Sequence, residues 1–259
     1  AGKDYYNLAS YDINSSYPHK ASKMKLPYGP PIYEYGEGKS PDMSKFWIAE
    51  ALVQFKLKDK NKIPCIPSKS IMEGGVIEDK EKDYEKWLHD SGGLVRMKFS
   101  SIDYLTFQLS YDFEVVQWMW SVHWAWKVHK EVASFVEKRY NARLKYKALY
   151  KEESKKDKPN KLKLIEYKTV DNRNKIDINS FYGKFGEEVV KEGKTPHLEY
   201  NEELGEEVVV WRVDREDVAT EHNRKYLPVA IAITAWGRRQ LVEMGNLLGK
   251  YFLYCDTDS

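Results

Sequence analysis

The sequence has few of the residues that mark disulfide-rich and zinc-binding proteins. It contains only two cysteines, Cys65 and Cys255, which lie far apart and have no second cysteine at metal-binding spacing. Its six histidines form no zinc-type pattern, and His123 and His129 lie in and beside a tryptophan-rich segment that is more typical of packing. We therefore expect two free thiols and no zinc site.

Long apolar runs are also missing. No stretch approaches the length that spans a bilayer, and no signal peptide is apparent. With 42% hydrophobic and 14% aromatic residues, the 259-residue chain can nevertheless bury a substantial core. The sequence therefore predicts a globular protein without a membrane partner.

The net charge of +2 hides one strongly basic segment. Residues 138–175 contain 14 Lys or Arg and 5 Asp or Glu, a local balance of +9, so the other 221 residues carry −7. The pattern predicts a helix over 126–150, a turn at Pro159 and a returning helix over 161–182. A basic hairpin of this kind is either a solvated charged surface or a surface that attracts phosphate, and composition alone does not choose between them.

Two short strings place aspartates beside apolar segments. YDINSSYP holds Asp12, and YCDTDS holds Asp256 and Asp258. Period-two spacing predicts a strand through Asp12 that ends near Pro18, and the run 251–254 predicts a second strand that enters an acidic turn. Adjacent strands would bring the acids together, and their oxygens suit the Mg²⁺ ions of a two-metal phosphoryl-transfer site.

A third string, KIDINSFYG, indicates one face of a helix. Lys175, Asn179 and Tyr182 are spaced i, i+4 and i+7, and Gly183 follows as the expected stop. Taken alone, the string is more typical of an ordinary amphipathic helix with a solvated lysine. In a phosphoryl-transfer site, Lys175 would supply a cation for the phosphates of the substrate.

The three strings together resemble motifs A, B and C of the family B DNA polymerases, in their usual order. The form Lys-x-x-x-Asn-Ser-x-Tyr-Gly is typical of that family. TAWGR at 234–238 is similar to the Thr-x-x-Gly-Arg element of its protein-primed branch, found in phages and linear plasmids, and LPYGPPI at 26–32 resembles the sequence that follows motif A there. The resemblance covers essentially the whole chain. It implies an α+β polymerase palm with an antiparallel sheet, helical-hairpin fingers and two inserted subdomains.

The resemblance also implies a chemistry. The protein would direct DNA synthesis on a template, adding deoxynucleotides to a primer 3′-hydroxyl with two Mg²⁺ ions, or Mn²⁺ in their place. Asp12, Asp256 and Asp258 would be the catalytic acids. The metal ligands would be Asp12, Asp258 and the carbonyl of Ile13.

Contacts to the incoming deoxynucleoside triphosphate are implied for five residues: Ser16, Tyr17, Lys175, Asn179 and Tyr182. Amides of Ser16 and Tyr17 would assist Lys175 on the phosphates, and the Tyr17 ring would leave no room for a 2′-hydroxyl.

Contacts to the DNA primer-template are implied for four residues: Ser15, Gly183, Thr234 and Arg238. A priming terminal protein would be a further partner. The expected location is the cytoplasm, which means the host-cell cytoplasm if a phage encodes the protein.

Spacing suggests how the chain is divided. Asp12 and Lys175 are 163 residues apart, more than two palm strands and two finger helices require. By resemblance, five parts follow one another: palm with motif A over 1–32, an insertion like the terminal-protein-contacting subdomain over 33–112, fingers with motif B over 113–183, a second insertion with a β-hairpin over 184–226, and a truncated palm with motif C over 227–259.

The sequence departs from the family pattern in two ways. Ser16 stands where relatives usually carry Leu, which predicts looser packing there but leaves the acids untouched. The exonuclease domain and the thumb of the family are not in this sequence, so we expect a fragment that is inactive or nearly so on its own.

Two other functions would share parts of this pattern. Reverse transcriptases and viral RNA polymerases also pair aspartates in a palm, but they lack the Lys-x-x-x-Asn-Ser-x-Tyr-Gly helix. A catalytically inactive DNA- or terminal-protein-binding module derived from a polymerase would use the basic hairpin equally well, although it has no need of three aspartates at strand ends.

Overall fold

The computed structural model describes residues 8–11, 13, 15–35, 38–74, 87–186, 190–201, 205–217 and 225–255. Helices and strands both contribute to these residues. The helices are α1 (Ser16–Lys23), α2 (Ser101–Ser110), α3 (Lys130–Ser154), α4 (Lys161–Gly186) and α5 (Leu227–Leu248). The strands are β1 (Leu26–Tyr35), β2 (Phe46–Leu57), β3 (Ile71–Gly74), β4 (Val95–Ser100), β5 (Tyr111–Lys127), β6 (Val190–Asn201) and β7 (Glu206–Asp217).

Five of the strands form one antiparallel sheet in the order β1-β5-β2-β4-β3. Aromatic and β-branched residues are frequent in β2 and β5, which is the composition that fits a pleated, half-buried surface. The 17-residue β5 pairs with β1 along one edge and with β2 along the other. The predicted α+β class with an antiparallel sheet is confirmed.

Two hydrophobic clusters hold the sheet and its helices together. One lies between the sheet and α2 and is rich in aromatic rings, with Trp47 packed edge-on against Trp118 at a centroid distance of 5.5 Å. The other joins α5 to α1 and to the ends of β1 and β5, and it includes Ala21, Phe46 and Ile233. The second cluster matters for function because residues of motifs A and B pack against it.

The helices α3 and α4 form an antiparallel hairpin that is largely exposed. Two ion pairs cross it, Arg139 with Asp177 at 3.3 Å and Arg143 with Asp171 at 3.0 Å. At its tip, the side chain of Asn160 accepts hydrogen bonds from the first amides of α4 and so caps that helix. The predicted basic hairpin is therefore present.

The second predicted hairpin is also present. β6 and β7 pair in continuous register from Val190 opposite Asp217 to Asn201 opposite Glu206. Gly205 leads into β7 with a φ of 68°, a left-handed conformation that glycine adopts without steric cost.

The structure corrects the prediction of a strand through Asp12. Residues 8–11 and 13 belong to no strand, and Asp12 itself lies outside the described residues. Pro18 does not end a strand; it occupies the first turn of α1, where its missing N–H would have had no helical partner.

Two helix boundaries were also predicted wrongly. Gly183 does not stop α4, which continues to Gly186 because Phe181 and Phe185, on either side of Gly183, pack against the second cluster. The helix predicted from residue 126 begins only at Lys130. Trp126 instead pairs with Pro27 in the sheet and stacks on Trp236.

The tryptophan-rich segment packs as expected, whereas the last predicted strand is not found. The tryptophan-rich segment forms the carboxyl-terminal half of β5, and His123 within it lies buried beside Glu34 and Ser121. The predicted strand 251–254 is absent, because a 3₁₀ turn over Gly249–Tyr251 leads into exposed, irregular chain with no partner strand among the described residues.

The five-part division of the chain stays a prediction. The sheet runs across two of its predicted boundaries, since β1 and β5 pair with each other while residues 33 and 113 fall inside these strands. Within the described residues, no helix is both long enough and apolar enough to cross a membrane.

Candidate nucleotide-binding site

A cavity of about 460 Å³ lies where α1 meets the helical hairpin. Seven of the residues singled out from the sequence line it: Ile13, Ser15, Ser16, Tyr17, Lys175, Asn179 and Tyr182. Motifs A and B, which are separated by more than 150 residues of chain, are thus brought to the same cavity.

The amino end of α1 forms one wall of the cavity. Ser15 precedes the helix with a φ of 53°, the only positive φ of a non-glycine residue in the described part of the chain. Ser16 and Tyr17 lie in the first turn of α1, and the N–H groups at the amino end of a helix together with its dipole favour an anion. This geometry suits the role implied for those two amides.

Positive side chains form another part of the cavity wall. Lys175 from α4 is joined there by Arg143 and Lys147 from α3. Arg143 is held by its ion pair with Asp171 and by a weak 3.5 Å hydrogen bond from Nη1 to Ser15 Oγ, whereas neither lysine has an ion-pair partner among the described residues. Two lysines without an ion-pair partner among the described residues, close to the amino end of a helix, favour an anionic ligand.

The aromatic rings of Tyr17 and Tyr182 meet at one side of the cavity. Their centroids are 4.7 Å apart with an interplanar angle of 38°, and both side chains are half-buried against the second cluster. Behind Tyr17 lies Gly237 of α5, where a Cβ atom would come within 3.2 Å of Tyr17 Cε1. Aromatic rings at the edge of a cavity suit packing against a sugar or a base.

Three predicted DNA contacts lie elsewhere. Gly183 is in α4 but does not line the cavity, and Thr234 donates its hydroxyl hydrogen to carbonyls of its own helix. Arg238 is paired with Asp103 of α2 at 2.8 Å. Asp103 also accepts from Ser100 in the capping box that starts α2.

The acids fall outside the part of the chain that can be described. Asp12, Asp256 and Asp258 all lie outside the described residues, so the expectation that they come close together stays a prediction. Among the described residues there is no group of three side chains that could hold a metal ion. The described lining of the cavity is cationic, so a metal site would depend on those three carboxylates.

Sequence reasoning missed the contribution of α3. Tyr140, Arg143, Leu144 and Lys147 all line the cavity. Their spacing at i, i+3, i+4 and i+7 defines one helix face, and that signal was available in the sequence. The basic charge of residues 138–175 is evident in the sequence, but which face of α3 lines the cavity depends on how α3 packs on α4.

Comparison with known proteins identifies the family. The model of the family described as DNA polymerase type B, organellar and viral, matches residues 2–227. The chain belongs to this family. The resemblance inferred from the three strings is therefore confirmed.

Curated proteins similar to this chain include phage DNA polymerases. Those of Bacillus phages PZA and phi29 are each 27% identical over 253 residues, which is 96% of this chain and 37% of theirs. That of Streptococcus phage Cp-1 is 25% identical over 249 residues, 96% of this chain and 38% of its own. This type B polymerase chain thus spans a little over a third of the length of these relatives.

Solved structures agree on the fold. Phi29 DNA polymerase complexed with primer-template DNA and incoming nucleotide substrates superposes with a TM-score of 0.67 at 22% identity, covering 95% of this chain and 37% of that one. Its post-translocation binary complex with primer-template DNA gives 0.66 at 23% identity, covering 95% and 36%. The polymerase fold expected from the sequence is thereby supported over nearly the whole chain.

Proposed function

We propose that this chain forms the palm and fingers of a template-directed DNA polymerase that extends a primer 3′-hydroxyl with deoxynucleotides, in protein-primed replication. The observation that carries the proposal is the cavity shared by α1, α3 and α4. Motif A supplies helix amides and a tyrosine to it, motif B supplies Lys175, Asn179 and Tyr182, and α3 supplies further positive charge.

The triphosphate would lie between the amino end of α1 and the lysines. Lys147 and Lys175 would neutralise charge on its phosphates, and the amides of Ser16 and Tyr17 would donate hydrogen bonds to them. Arg143, fixed by Asp171, would hold this wall in place before the ligand arrives. Such a preformed set of donors costs little reorganisation when charge develops on the phosphates.

The sugar and base would face the tyrosine pair. Tyr17 would lie beneath the sugar and exclude a 2′-hydroxyl, while Tyr182 and Asn179 would pack on the new base pair. The 4.7 Å contact between the two rings supports this reading, because it keeps Tyr17 from turning away freely.

The proposal includes two metal ions, which the aspartates would hold. Two Mg²⁺ ions, or Mn²⁺, held by Asp12, Asp258 and the Ile13 carbonyl, would activate the primer hydroxyl and neutralise the departing pyrophosphate. Asp256 would support them. Carboxylate oxygens are the ligands that these hard cations prefer.

Primer-template DNA is the proposed macromolecular partner, with a terminal protein as the primer. Phi29 polymerase, which has the same fold, has been captured with primer-template DNA and incoming nucleotides. The proposed contacts to the DNA backbone are Thr234, Gly183, Ser15 and Arg238. Arg238 would donate a hydrogen bond to a phosphate either instead of Asp103 or in addition to it. The proposed location is the cytoplasm of the host cell.

Substitution of the acids tests the proposed reaction. Asp12→Ala or Asp258→Ala in the full-length protein should abolish nucleotide incorporation and leave primer-template affinity nearly unchanged, because Lys and Arg supply most DNA affinity. Asp256→Ala should do less harm. Primer extension and DNA-binding titrations would measure both effects.

Asp157→Ala is the matched control, since Asp157 is an exposed acid in the connection between α3 and α4. It should change neither property. Near-normal extension by the Asp12 or Asp258 variant would refute the assignment. If the unsubstituted protein binds DNA but incorporates no nucleotide, an inactive binding module is the better description.

A further inference from the structure

The ring of Tyr17 is held between two helices. Tyr182 of α4 contacts one side of it, with the ring centroids 4.7 Å apart. Gly237 of α5 also lies close to the ring, because a Cβ atom there would be 3.2 Å from Tyr17 Cε1 and 3.7 Å from Cδ1. The ring therefore rests against the backbone of α5 at the one position in that turn where no side chain intervenes.

The backbone of α5 cannot retreat from Tyr17 at this point. Trp236, the preceding residue, stacks on Trp126 at 6.3 Å with an interplanar angle of 12° and donates a hydrogen bond to the carbonyl of Lys25. Arg238, the following residue, is paired with Asp103 of α2. Both neighbours of Gly237 thus tie the helix to the sheet and to α2.

A side chain at position 237 would push Tyr17 rather than α5. Real Cβ atoms seldom approach a carbon as closely as 3.2 Å, so the ring would have to move by a few tenths of an ångström. Tyr17 lines the nucleotide cavity and Gly237 does not, so the cavity is unfilled space next to the ring, and we expect a ring displaced by a Cβ atom to move into it. The sugar of a bound nucleotide would meet it there.

We propose that Gly237 is a positioning residue for sugar selection: its missing Cβ sets how far the Tyr17 ring withdraws from the nucleotide cavity. This inference rests on the proposed function and adds a role for the Gly of the TAWGR string that is separate from DNA contacts by Thr234 and Arg238. Gly237→Ala should narrow the space beside the sugar. The backbone conformation at position 237 does not require glycine, because the residue lies inside a regular helix, where alanine is more stable by about 1 kcal/mol.

A double-mutant cycle on the full-length protein tests the proposal. With Tyr17 present, Gly237→Ala should raise the apparent KM for deoxynucleotides roughly threefold or more, with kcat little changed and ribonucleotide incorporation no higher. The increase should persist in a Tyr17→Phe background, which keeps both ring carbons that contact position 237. It should vanish in a Tyr17→Val background, which removes them.

The Tyr17→Val background is also the control for any general effect of alanine on α5. An equal rise of KM in that background, or none with Tyr17 present, would overturn the proposal. If Gly237→Ala alone fails to fold, as judged by circular dichroism, recovery of folding in the Tyr17→Val double variant supports the contact and continued misfolding refutes it. Failure of the unsubstituted protein to incorporate nucleotides would instead count against the proposed function.

Discussion

The sheet with its flanking helices and the helical hairpin are built on different principles. The sheet, with α1, α2 and α5, buries two clusters of apolar side chains, and aromatic rings touch one another throughout the first. The α3–α4 hairpin buries little, and ion pairs such as Arg143 with Asp171 hold its helices together. The hairpin therefore keeps its positive charge exposed, which a phosphate-binding surface requires, while the sheet supplies a rigid support.

The same contrast explains the placement of the cavity. Tyr17 and Tyr182 rest on the second cluster, so the side proposed for the sugar is rigid. Lys147 and Lys175 come from the hairpin, so the side proposed for the phosphates is solvated and charged. A ligand that is flat and apolar at one end and highly anionic at the other matches this division.

The largest loss of stability is expected when one tryptophan ring is removed from the first cluster. Trp47 is 1% exposed, and its ring contacts Phe99, Tyr104 and Trp118. Trp47→Ala should lower the free energy of unfolding by about 3–5 kcal/mol, because the surrounding rings cannot fill the cavity that remains. Urea denaturation followed by circular dichroism measures the change.

Leu105→Ala is the control for that experiment, since Leu105 is exposed on α2 of the same layer. It should alter stability by no more than about 0.5 kcal/mol. Equal losses for the two variants would mean that the cluster is not the source of stability in the sheet.

A smaller loss of stability is expected in the hairpin. Ile178 and Ile176 lie two residues apart in α4, and they are 1% and 63% exposed. Ile178→Ala should destabilise the protein by about 2–4 kcal/mol, whereas Ile176→Ala should be nearly neutral. The same denaturation assay applies, and comparable effects of the two changes would show that the hairpin depends on ion pairs alone.

Local patterns in the sequence predicted some of these features and missed others. The face shared by Lys175, Asn179 and Tyr182 was predicted because helical spacing is a property of the segment itself. The β6–β7 hairpin was expected from the family resemblance, and Gly205 lies at the turn between its two strands. Family resemblance then joined distant segments that local patterns could not connect.

The failures have a common cause in tertiary packing. Nothing local shows that Trp126 stacks on Trp236, which extends β5 and delays the start of α3. Arg143 reaches the cavity because Asp171, 28 residues away, holds it there. The early strand was wrong because Pro18 fits the first turn of a helix as well as the end of a strand.

The most direct test concerns what the cavity binds. Lys147→Ala and Lys175→Ala each remove a cation that lines it, whereas Lys151→Ala removes an exposed cation one turn further along α3 that does not. At saturating primer-template, the first two variants should raise the apparent KM for deoxynucleotides about tenfold, as expected for loss of a charge-assisted hydrogen bond to phosphate. Primer-template affinity should stay nearly the same, and Lys151→Ala should change neither quantity. An unchanged KM together with weakened DNA binding, or equal effects of all three substitutions, would contradict the account.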